Sequence, residues 1–405
     1  MGLDARRIRF RARYWALRAR SRIRATSWTT LSTIPSRTTR TDLLPPQLRA
    51  NDDEGREQET VGATFQPLRS VVNEYAFVLK GRSYIEPKTG WVIASPCHLV
   101  RDSFPYSDWS DFAGNLLSKP SVVRTALLAA RSRSHYPSVI SLRTAWDDNY
   151  FHFFNDVLGR LRMLNELDIP SDVPVVVSGV LANRPYFSGL AAAGVFGGRP
   201  VICQPSDVVI SADEIFILKR RAGDPRDYEY FLDRLPTAPA REGRGRRLFL
   251  TRSAVRGRTV INAEEVGELC LRYEYEPVDT DGMTFSEQVK LFGSASHVVG
   301  VHSAGLVNIM FARGRTLSVV EILPPGPLPI GWNAIDEPKT DFEFLCDAFG
   351  FTYHSVAGHA VETYYDRSLN FVIDTRDLER ALQVSLADGA ADGPAHAPTS
   401  GRHHV

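Results

Sequence analysis

The sequence predicts an α/β protein with two doubly wound domains, because segments typical of strands and of helices alternate along most of its length. The alternation runs through residues 138–219 and starts again after 237–247, a break rich in Pro, Gly and charge. A chain of 405 residues, 43% hydrophobic and 23% charged, ordinarily forms two domains. We expect the two domains to face a cleft at the carboxyl ends of their strands.

Composition sets the expected domain limits. Residues 1–66 are predicted to be a basic tail and a linker, and order is expected to begin near Ser70. An N-terminal α/β domain is expected at 67–240 and a C-terminal α/β domain at 241–385. The remaining stretch, 386–405, is rich in Ala, Gly and Pro and is expected to be disordered.

The first 40 residues are strongly basic, with eleven arginines and a single acid, Asp4. With Tyr14 and Trp15 interleaved, this segment is either a flexible tail or a basic helix lying on an anionic membrane. No apolar run typical of a secretory signal follows the arginines, and no run of about 18 apolar residues predicts a membrane span. We expect a cytoplasmic protein, with peripheral contact at the inner membrane face left open.

Several classes of function lack support in the sequence. The net charge of +1 gives no overall basic field, so nucleic-acid binding is not predicted. No P-loop and no dinucleotide fingerprint occurs, which argues against phosphoryl transfer and dinucleotide oxidoreduction. The four cysteines are far apart and are predicted to be reduced core residues rather than metal ligands or disulfides. They are Cys97, Cys203, Cys270 and Cys346.

In the N-terminal domain β-branched and aromatic residues at 71–87 and 90–96 predict hairpin strands. From residue 138 onward apolar runs predict strands at 139–142, 173–179, 200–203 and 213–219, and their alternation with helices predicts a parallel sheet covered on both faces. A helix is predicted at 149–167, where apolar residues recur at spacings of four, four and three. Its predicted core face consists of Phe153, Val157, Leu161 and Leu164.

In the C-terminal domain strands and helices alternate again. Strands are predicted at 247–252, 274–279, 297–301 and 318–323, and helices at 262–273, 284–295 and 304–312. Two helix starts are marked by an N-cap residue with an acid three positions later, Asn262 with Glu265 and Thr284 with Glu287.

The stretch 296–325 is the most informative part of the chain, because it is typical of strand, tight small-residue turn, helix and strand. A helix that begins at such a turn presents bare backbone N–H groups and its positive dipole end, which favours a phosphate. The turn carries His302, Ser303 and Gly305, with Asn308 one helical turn further. It predicts a site for an anionic, nucleotide-linked ligand.

Five short sequence elements occur in one order between residues 149 and 325. They are H-x-x-x-D at His152 and Asp156, R-x(5)-R-x(3)-N at Arg252, Arg258 and Asn262, F-S-E-Q-V at 285–289, V-G-x-H-x-A-G-L-x-N at 299–308, and V-E-I at 320–322. Together they resemble the pattern of glycosyltransferase family 61, which bacterial capsular-polysaccharide-type enzymes share with eukaryotic O-linked GlcNAc or xylosyl transferases.

The resemblance implies a GT-B-like fold of two Rossmann-like domains and an inverting transfer from a nucleotide sugar, expected to be a UDP-sugar. The implied acceptor is a hydroxyl of a glycan or glycolipid, as in capsular or extracellular polysaccharide biosynthesis. It implies no obligatory metal and no cofactor beyond the donor substrate. The N-terminal domain would then lie on the acceptor side and the C-terminal domain would bind the nucleotide sugar.

Two positions depart from the family pattern. Ser303 stands where the usual H-G-A-G has its first glycine, and Ala263 follows Asn262 where the family has glutamate. A non-catalytic relative that binds a nucleotide sugar or a glycan therefore stays open as an alternative. A sugar-nucleotide epimerase is a second alternative, which would alter the sugar without an acceptor.

The expected donor site combines cations with backbone N–H groups, because a departing nucleoside diphosphate needs fixed positive charge. Its predicted members are Arg252, Arg258, His302, Ser303, Ala304, Gly305, Asn308 and Glu321. Arg252 follows a strand, where its planar fork suits a diphosphate, although it is alternatively one of many surface arginines. Arg258 either contacts phosphate or braces the next turn, and His302 is either a ligand contact or a core histidine.

Glu321 lies within the apolar run 318–323, where an unpaired carboxylate would be costly to bury. Ribose hydroxyls at the strand end would resolve that cost. An ion pair with an arginine of the neighbouring helix is the structural alternative.

The expected proton acceptor is His152, with Asp156 four residues later on the same helical face to orient it. Reversed roles stay open, as does packing of His152 among its phenylalanine neighbours. The motif D-x-D at 279–281 precedes a predicted helix start and is interpreted as a loop, so no metal site is expected.

Overall fold

The computed structural model describes residues 58–60, 63–71, 74–94, 98–100, 103, 134–167, 169–220, 224–235, 245–251, 259–325, 340–360 and 370–391. The chain divides into two units. The N-terminal unit is Met1–Ala222 with Arg226–Arg234, and the C-terminal unit is Gly223–Pro225 with Leu235–Val405.

The N-terminal unit is built on a nine-stranded sheet. Its strands are β1 (Gln58–Thr60), β2 (Ala63–Val71), β3 (Glu74–Ile85), β4 (Val92–Ala94), β5 (His98–Leu99), β6 (His135–Ser141), β7 (Val175–Ser178), β8 (Val201–Gln204) and β9 (Ile210–Lys219). The main order is β1-β2-β3-β9-β6-β7-β8, with β4 beside β3 and β5 beside β4.

This sheet is mixed, because the parallel strands expected from residue 138 onward join the antiparallel hairpin strands expected before it. The strands β9, β6, β7 and β8 are parallel neighbours, as the alternation with helices predicts. On its other side, however, β9 pairs antiparallel with β3, and β3 forms antiparallel pairs with β2 and β4. The short connections before residue 100 allow only antiparallel neighbours there, and β1 and β2 begin within the segment predicted as linker.

The helices of this unit follow the strands. They are α1 (150–166), α2 (Pro185–Ala192) and α3 (Pro225–Leu232), with a 3₁₀ turn at Gly179–Asn183. The predicted apolar face of α1 is confirmed, since Phe153, Val157, Leu161 and Leu164 are all buried.

The C-terminal unit is built on a five-stranded parallel sheet of order β11-β10-β12-β13-β14. The strands are β10 (Arg246–Leu250), β11 (Glu276–Val278), β12 (Ala295–Val301), β13 (Ser318–Leu323) and β14 (Thr352–Ala357), followed by the small antiparallel pair β15 (His359–Ala360) and β16 (Phe371–Val372). The helices are α4 (Ala263–Arg272), α5 (Phe285–Phe292), α6 (Asp341–Phe349) and α7 (Thr375–Ala391), with a 3₁₀ helix at Ala304–Ala312. Because α7 continues to Ala391, it extends past the predicted limit at 385.

Both predicted helix starts are confirmed, and one of them has a complete capping box. Thr284 Oγ1 accepts from the Glu287 amide, and Glu287 accepts from the Thr284 amide in return. Asn262 is the N-cap residue of α4, as predicted, but its side chain accepts no hydrogen bond from a backbone amide of the helix. Its side-chain amide donates to the Ile373 carbonyl at 2.9 Å instead, because β16 lies close to the start of α4.

In the parallel part of each large sheet, the strands that follow in sequence lie on both sides of one strand, and we call the gap beside that strand the reversal point. In the C-terminal unit β11 lies on one side of β10, and β12, β13 and β14 follow on the other side. In the N-terminal unit β7 and β8 lie on one side of β6, and β9 lies on the other. Ligands of open α/β sheets bind at the carboxyl ends of the strands at such reversal points. The candidate binding edges are therefore the carboxyl ends of β6 with β9 and of β10 with β12.

The described residues were also compared with the expectations for membrane spans and cysteines. None of their helices is both long and apolar enough to cross a bilayer. Cys270 and Cys346 are buried free thiols and Cys203 is a half-buried one, in agreement with reduced cysteines. Cys97, the basic segment 1–40 and the tail 392–405 lie outside the described residues.

Candidate functional site

The helix α1 is the first helix after β6, and residues 142–149 connect the two. Asn149 caps it, because its Oδ1 accepts from the Phe151 amide at 3.0 Å. The helix is continuous but changes its winding, as Tyr150–His152 is α-helical, Phe153–Val157 forms a π-helical turn, Leu158–Arg160 is 3₁₀ and Leu161–Glu166 is α-helical. Single π-helical turns inside helices occur frequently at functional sites.

The predicted pair His152 and Asp156 lies in this first part of α1 and is hydrogen-bonded. His152 Nδ1 is 2.7 Å from Asp156 Oδ2, and the two side chains are 19% and 23% exposed. The ring of Trp146 stacks on the imidazole, with 5.6 Å between ring centres. Because the carboxylate faces Nδ1, it holds the neutral ring in the tautomer that carries its proton on Nδ1.

Positive charge keeps Asp156 ionised. Burial on its own would raise the pKa of Asp156. The hydrogen bond from His152 and the charges of His152, Arg220 and Arg160 together lower that pKa by more than burial raises it. The pKa of Asp156 therefore lies below its ordinary value. A carboxylate that stays ionised orients an imidazole and stabilises the imidazolium that forms when the ring takes up a proton.

Arg160 connects the π-helical turn to the end of β6. Its Nε donates to the Asp156 carbonyl at 2.7 Å, and its terminal nitrogens donate to the carbonyls of Ser141 and Leu142. Burial lowers the pKa of Arg160 to about 10, and the charges of Asp156 and Asp147 oppose that shift. The guanidinium thus binds the first turns of α1 to the edge of the sheet.

A second buried arginine, Arg143, fixes the loop between β6 and α1. Its Nε donates to Asp147, its Nη1 donates to Gln204 Oε1 at 2.5 Å, and its Nη2 donates to the Pro87 carbonyl at 3.1 Å. Gly90 passes so close that a β-carbon there would lie 2.2 Å from the Arg143 Cβ, and its φ of +72° also favours glycine. Burial raises the pKa of Asp147 in spite of Arg143.

In the C-terminal unit the predicted turn lies at the carboxyl end of β12. Ser303 has extended backbone angles, φ −158° and ψ 159°, which any residue adopts, so the serine in place of glycine causes no backbone strain. Among the described residues the amides of Ser303, Ala304 and Gly305 make no backbone hydrogen bond, and the Leu306 amide is the first that does, to the Ser303 carbonyl at 3.0 Å. All three residues with unbonded amides are partly exposed.

Two threonines stand beside this turn. Thr251 directly follows β10, the neighbour of β12, and its Oγ1 donates to the Val278 carbonyl at 3.0 Å. Thr280 follows β11, and its Oγ1 would lie 3.6 Å from a β-carbon at Gly305. The carboxyl edge at the reversal point thus combines unbonded amides with the hydroxyl of Thr280, which suits an oxyanion.

His302 and Glu321 are brought together, which the sequence did not predict. His302 Nδ1 lies 2.5 Å from Glu321 Oε1, and the Glu321 side chain is 0% exposed. Its other oxygen accepts from Thr340 Oγ1 at 2.8 Å and from the Tyr353 hydroxyl at 2.6 Å. Burial, with the charge of Glu321, raises the pKa of Tyr353 far above its usual range, so that hydroxyl stays a donor.

Asn308 is fully buried in the interior of the 3₁₀ helix Ala304–Ala312. Its Nδ2 donates to Gln288 Oε1 at 2.9 Å, and Gln288 Nε2 in turn donates to the carbonyls of Thr280 and Met283. Asn308 thus connects the 3₁₀ helix to α5 and to the loop after β11. Its predicted contact with a ligand, like that of Glu321 with ribose, stays a prediction.

Two predicted residues, Arg252 and Arg258, lie outside the described residues. Thr251 is the last described residue before them and marks the end of β10 at the reversal point.

The structure adds functional candidates that sequence reasoning missed. They are Asn155, Arg160, Arg220 and Tyr228, all of which contact Asp156 or its neighbour. Arg220 directly follows β9, so the rule that singled out Arg252, an arginine after a parallel strand, would also have found it. Asn155 and Tyr228 carry no such signal, because only the packing of α3 against α1 brings them together.

The D-x-D motif is a loop, as predicted. The Asp279 carboxylate accepts from the Asp281 amide at 2.9 Å and so closes a turn before α5. Within the described residues there is no group of three or more His, Cys, Asp or Glu side chains placed to hold a metal ion.

The family assignment is supported by a direct match. The model of the family described as Glycosyltransferase 61 matches residues 150–319, from the first residue of α1 into β13. This region belongs to glycosyltransferase family 61. His152, Asp156 and the turn after β12 lie inside it, and Glu321 lies two residues beyond it. No curated protein matches the chain.

The match over residues 150–319 supports glycosyltransferase activity, which requires a sugar donor and an acceptor as substrates. The matched region, 150–319, begins at the first residue of α1 and ends in β13 of the C-terminal sheet. The matched region therefore contains α1, which follows β6, and the turn after β12, and each of these strands borders a reversal point.

Proposed function

We propose that this family 61 glycosyltransferase is an inverting enzyme that transfers a sugar from a nucleotide donor, a UDP-sugar, to a hydroxyl of a glycan or glycolipid. The observation that carries the proposal is the hydrogen-bonded pair His152 and Asp156 at the reversal point of the N-terminal sheet. The proposal includes the GT-B arrangement of the family, with the acceptor on the N-terminal unit and the donor on the C-terminal unit.

The proposed base is His152. Asp156 accepts the Nδ1 proton of the imidazole, so Nε2 is the ring atom with a lone pair for the proton of the acceptor hydroxyl. As that proton moves to Nε2, the acceptor oxygen forms its bond to the anomeric carbon from the side opposite the diphosphate. The bond between the anomeric carbon and the phosphate oxygen breaks, and its electron pair leaves with the nucleoside diphosphate. One displacement of this kind inverts the anomeric configuration.

The proposed donor subsite is the turn after β12. The unbonded amides of Ser303, Ala304 and Gly305 would donate to the diphosphate as charge grows on the leaving oxygen. Arg252 and Arg258 would supply positive charge beside His302, so no metal ion is required in this proposal. A role in capsular or extracellular polysaccharide biosynthesis at the cytoplasmic face of a membrane completes it.

The decisive experiment measures UDP release from UDP-GlcNAc and UDP-xylose by the purified protein in the presence of EDTA. We expect slow hydrolysis without an acceptor and faster turnover with one, and the anomeric proton coupling of the product gives its configuration. His152→Ala and Asp156→Ala should abolish turnover while donor binding, measured by thermal shift, is retained. Unchanged turnover in both variants would refute the proposed base.

The same measurements separate a non-catalytic relative from an enzyme. Such a relative would be stabilised by a UDP-sugar without releasing UDP, whatever the acceptor. The departure at Ala263 favours that alternative, whereas the unstrained backbone of Ser303 removes one reason for it.

A further inference from the structure

A chain of polar side chains lies behind Asp156 and ends in a single amide. The Asn155 amide nitrogen donates to Asp156 Oδ1 at 2.8 Å, while Asp156 Oδ2 faces His152. The Asn155 oxygen accepts from Arg220 Nη2 at 2.8 Å and from the Tyr228 hydroxyl at 2.5 Å. Two donors on the oxygen side fix the direction of the amide, so its NH₂ group must face the carboxylate.

The donors to Asn155 are themselves held in place by other elements. Arg220 Nη1 donates to Asp227 Oδ2 at 3.2 Å, and the other oxygen of Asp227 accepts from Arg162 Nε at 2.7 Å. Arg220 also passes against the helix at Gly159, where a β-carbon would lie 2.7 Å from its Nε. The end of β9, the helix α3 and a glycine of α1 thus together orient one amide.

We propose that Asn155 is a positioning residue for the glycosyl transfer, and that it acts by holding the Asp156 carboxylate so that Oδ2 stays on His152 Nδ1. This inference rests on the proposed function, in which His152 is the base. The neutral amide matters because it donates to one oxygen of Asp156 without neutralising the charge that the imidazolium needs. Of the two oxygens, one is fixed by Asn155 and the other remains for the histidine.

The charges around Asp156 define what a change at position 155 would do. His152, Arg160 and Arg220 act on its carboxylate as positive groups, and Asp147 and Asp227 are the acids next to those arginines. The Tyr228 hydroxyl is neutral, because burial raises the pKa of Tyr228 to about 12. A second carboxylate at 155 would therefore face Asp156 with a like charge inside this cluster.

The test is the isosteric substitution Asn155→Asp. It keeps an acceptor for Arg220 and Tyr228 but replaces the NH₂ group with an oxygen that repels Asp156. We expect kcat to fall by about tenfold or more while the KM for the UDP-sugar changes by less than about twofold. The acidic limb of the pH profile of kcat should move to higher pH, because the added negative charge favours protonated His152.

The matched control is Asn165→Asp, which makes the same change of charge at an exposed position of the same helix. It should leave kcat and the pH profile as in the unmodified protein. If Asn155→Asp does not fold, as judged by circular dichroism, Tyr228→Phe decides instead. It removes one donor to Asn155 and keeps the buried ring, and we expect kcat to fall by about threefold.

The outcomes distinguish the two proposals. Full activity of His152→Ala would overturn the proposed base, and with it this inference. An inactive His152→Ala beside an Asn155→Asp that behaves like Asn165→Asp would overturn the role of Asn155 alone. Where only Tyr228→Phe can be measured, an unchanged kcat and an unchanged pH profile of that variant would overturn the role of Asn155. Gly159→Ala should reproduce the loss of kcat by displacing Arg220 from Asn155.

Discussion

His302 and Glu321 form a buried imidazole–carboxylate pair, with Nδ1 and Oε1 separated by 2.5 Å, at the carboxyl edge of the C-terminal sheet. In the pair of His152 and Asp156, too, the Nδ1 atom of the imidazole faces a carboxylate oxygen. Glu321 lies in the middle of β13, whereas His302 directly follows the neighbouring strand β12, so the parallel pairing of the two strands brings them together. An orienting carboxylate thus fixes the ring beside the unbonded amides.

Glu321→Gln should change both stability and donor binding. A glutamine can satisfy Thr340 and Tyr353 with its oxygen, but its NH₂ group would then face the Nδ1–H of His302, donor against donor. We expect the free energy of unfolding to fall by about 1–3 kcal/mol and the KM for the UDP-sugar to rise as the ring turns. Tyr353→Phe is the control, because it destabilises the same carboxylate without facing His302. Equal KM values for both variants would show that Glu321 has only a structural role.

The sequence predicted the parts of the fold that depend on local pattern. The run 173–179 and the helix 149–167 were recognisable because their apolar residues repeat at the spacing of one buried face. The mixed order of the N-terminal sheet was not, because the pairing of β3 with β9 joins residues more than a hundred positions apart. Pattern fixes which residues are buried, and it does not fix which strand lies beside which.

In the candidate site, too, contacts between residues close in sequence could be predicted, whereas contacts between distant residues could not. His152 with Asp156 could be predicted, since four residues on a helix place two side chains on one face. The partners of Glu321 could not, because Thr340 caps a later helix and Tyr353 lies on β14. Among the described residues the carboxylate is satisfied by His302, Thr340 and Tyr353 and not by the arginine that was considered from the sequence, while the contact with ribose stays a prediction.

Gly305→Ala tests the turn after β12 as a donor subsite. The methyl group would make only ordinary contacts, the nearest at 3.6 Å to Thr280 Oγ1, and the backbone of Gly305 is not in the left-handed region. Stability should therefore change by less than about 0.5 kcal/mol, whereas a diphosphate on the amides would meet the methyl group. We expect the dissociation constant for UDP to rise at least about tenfold, measured by calorimetry. The control is Gly267→Ala, in open space on α4, which should leave the dissociation constant for UDP unchanged. An unchanged dissociation constant in Gly305→Ala as well would show that the turn binds no phosphate.

Asp156→Asn should change how stability depends on pH. Because the folded pKa of Asp156 lies below its ordinary value of 3.8, the unfolded chain binds more protons between the two values. The contribution of Asp156 is therefore complete above the ordinary pKa and is lost as the pH falls through the folded pKa. Thermal midpoints measured from about pH 3 to about pH 6 should fall less steeply with acid in Asp156→Asn than in the unmodified protein. The exposed control Asp207→Asn should keep the original slope, and parallel curves for all three proteins would contradict the assignment.

Asp227→Ala should be the most destabilising of these changes. Asp227 is fully buried, and its two oxygens accept from Arg162 and Arg220, whose side chains are both 6% exposed. Removing the carboxylate leaves two buried guanidinium groups without their shared partner, which costs about 3–5 kcal/mol. Urea unfolding measures this loss, and Asp377→Ala serves as the control because its ion pair with Arg380 lies on the surface and contributes less than about 1 kcal/mol. A similar small loss in both variants would mean that solvent reaches the guanidinium groups and that the cluster does not hold α3 against α1.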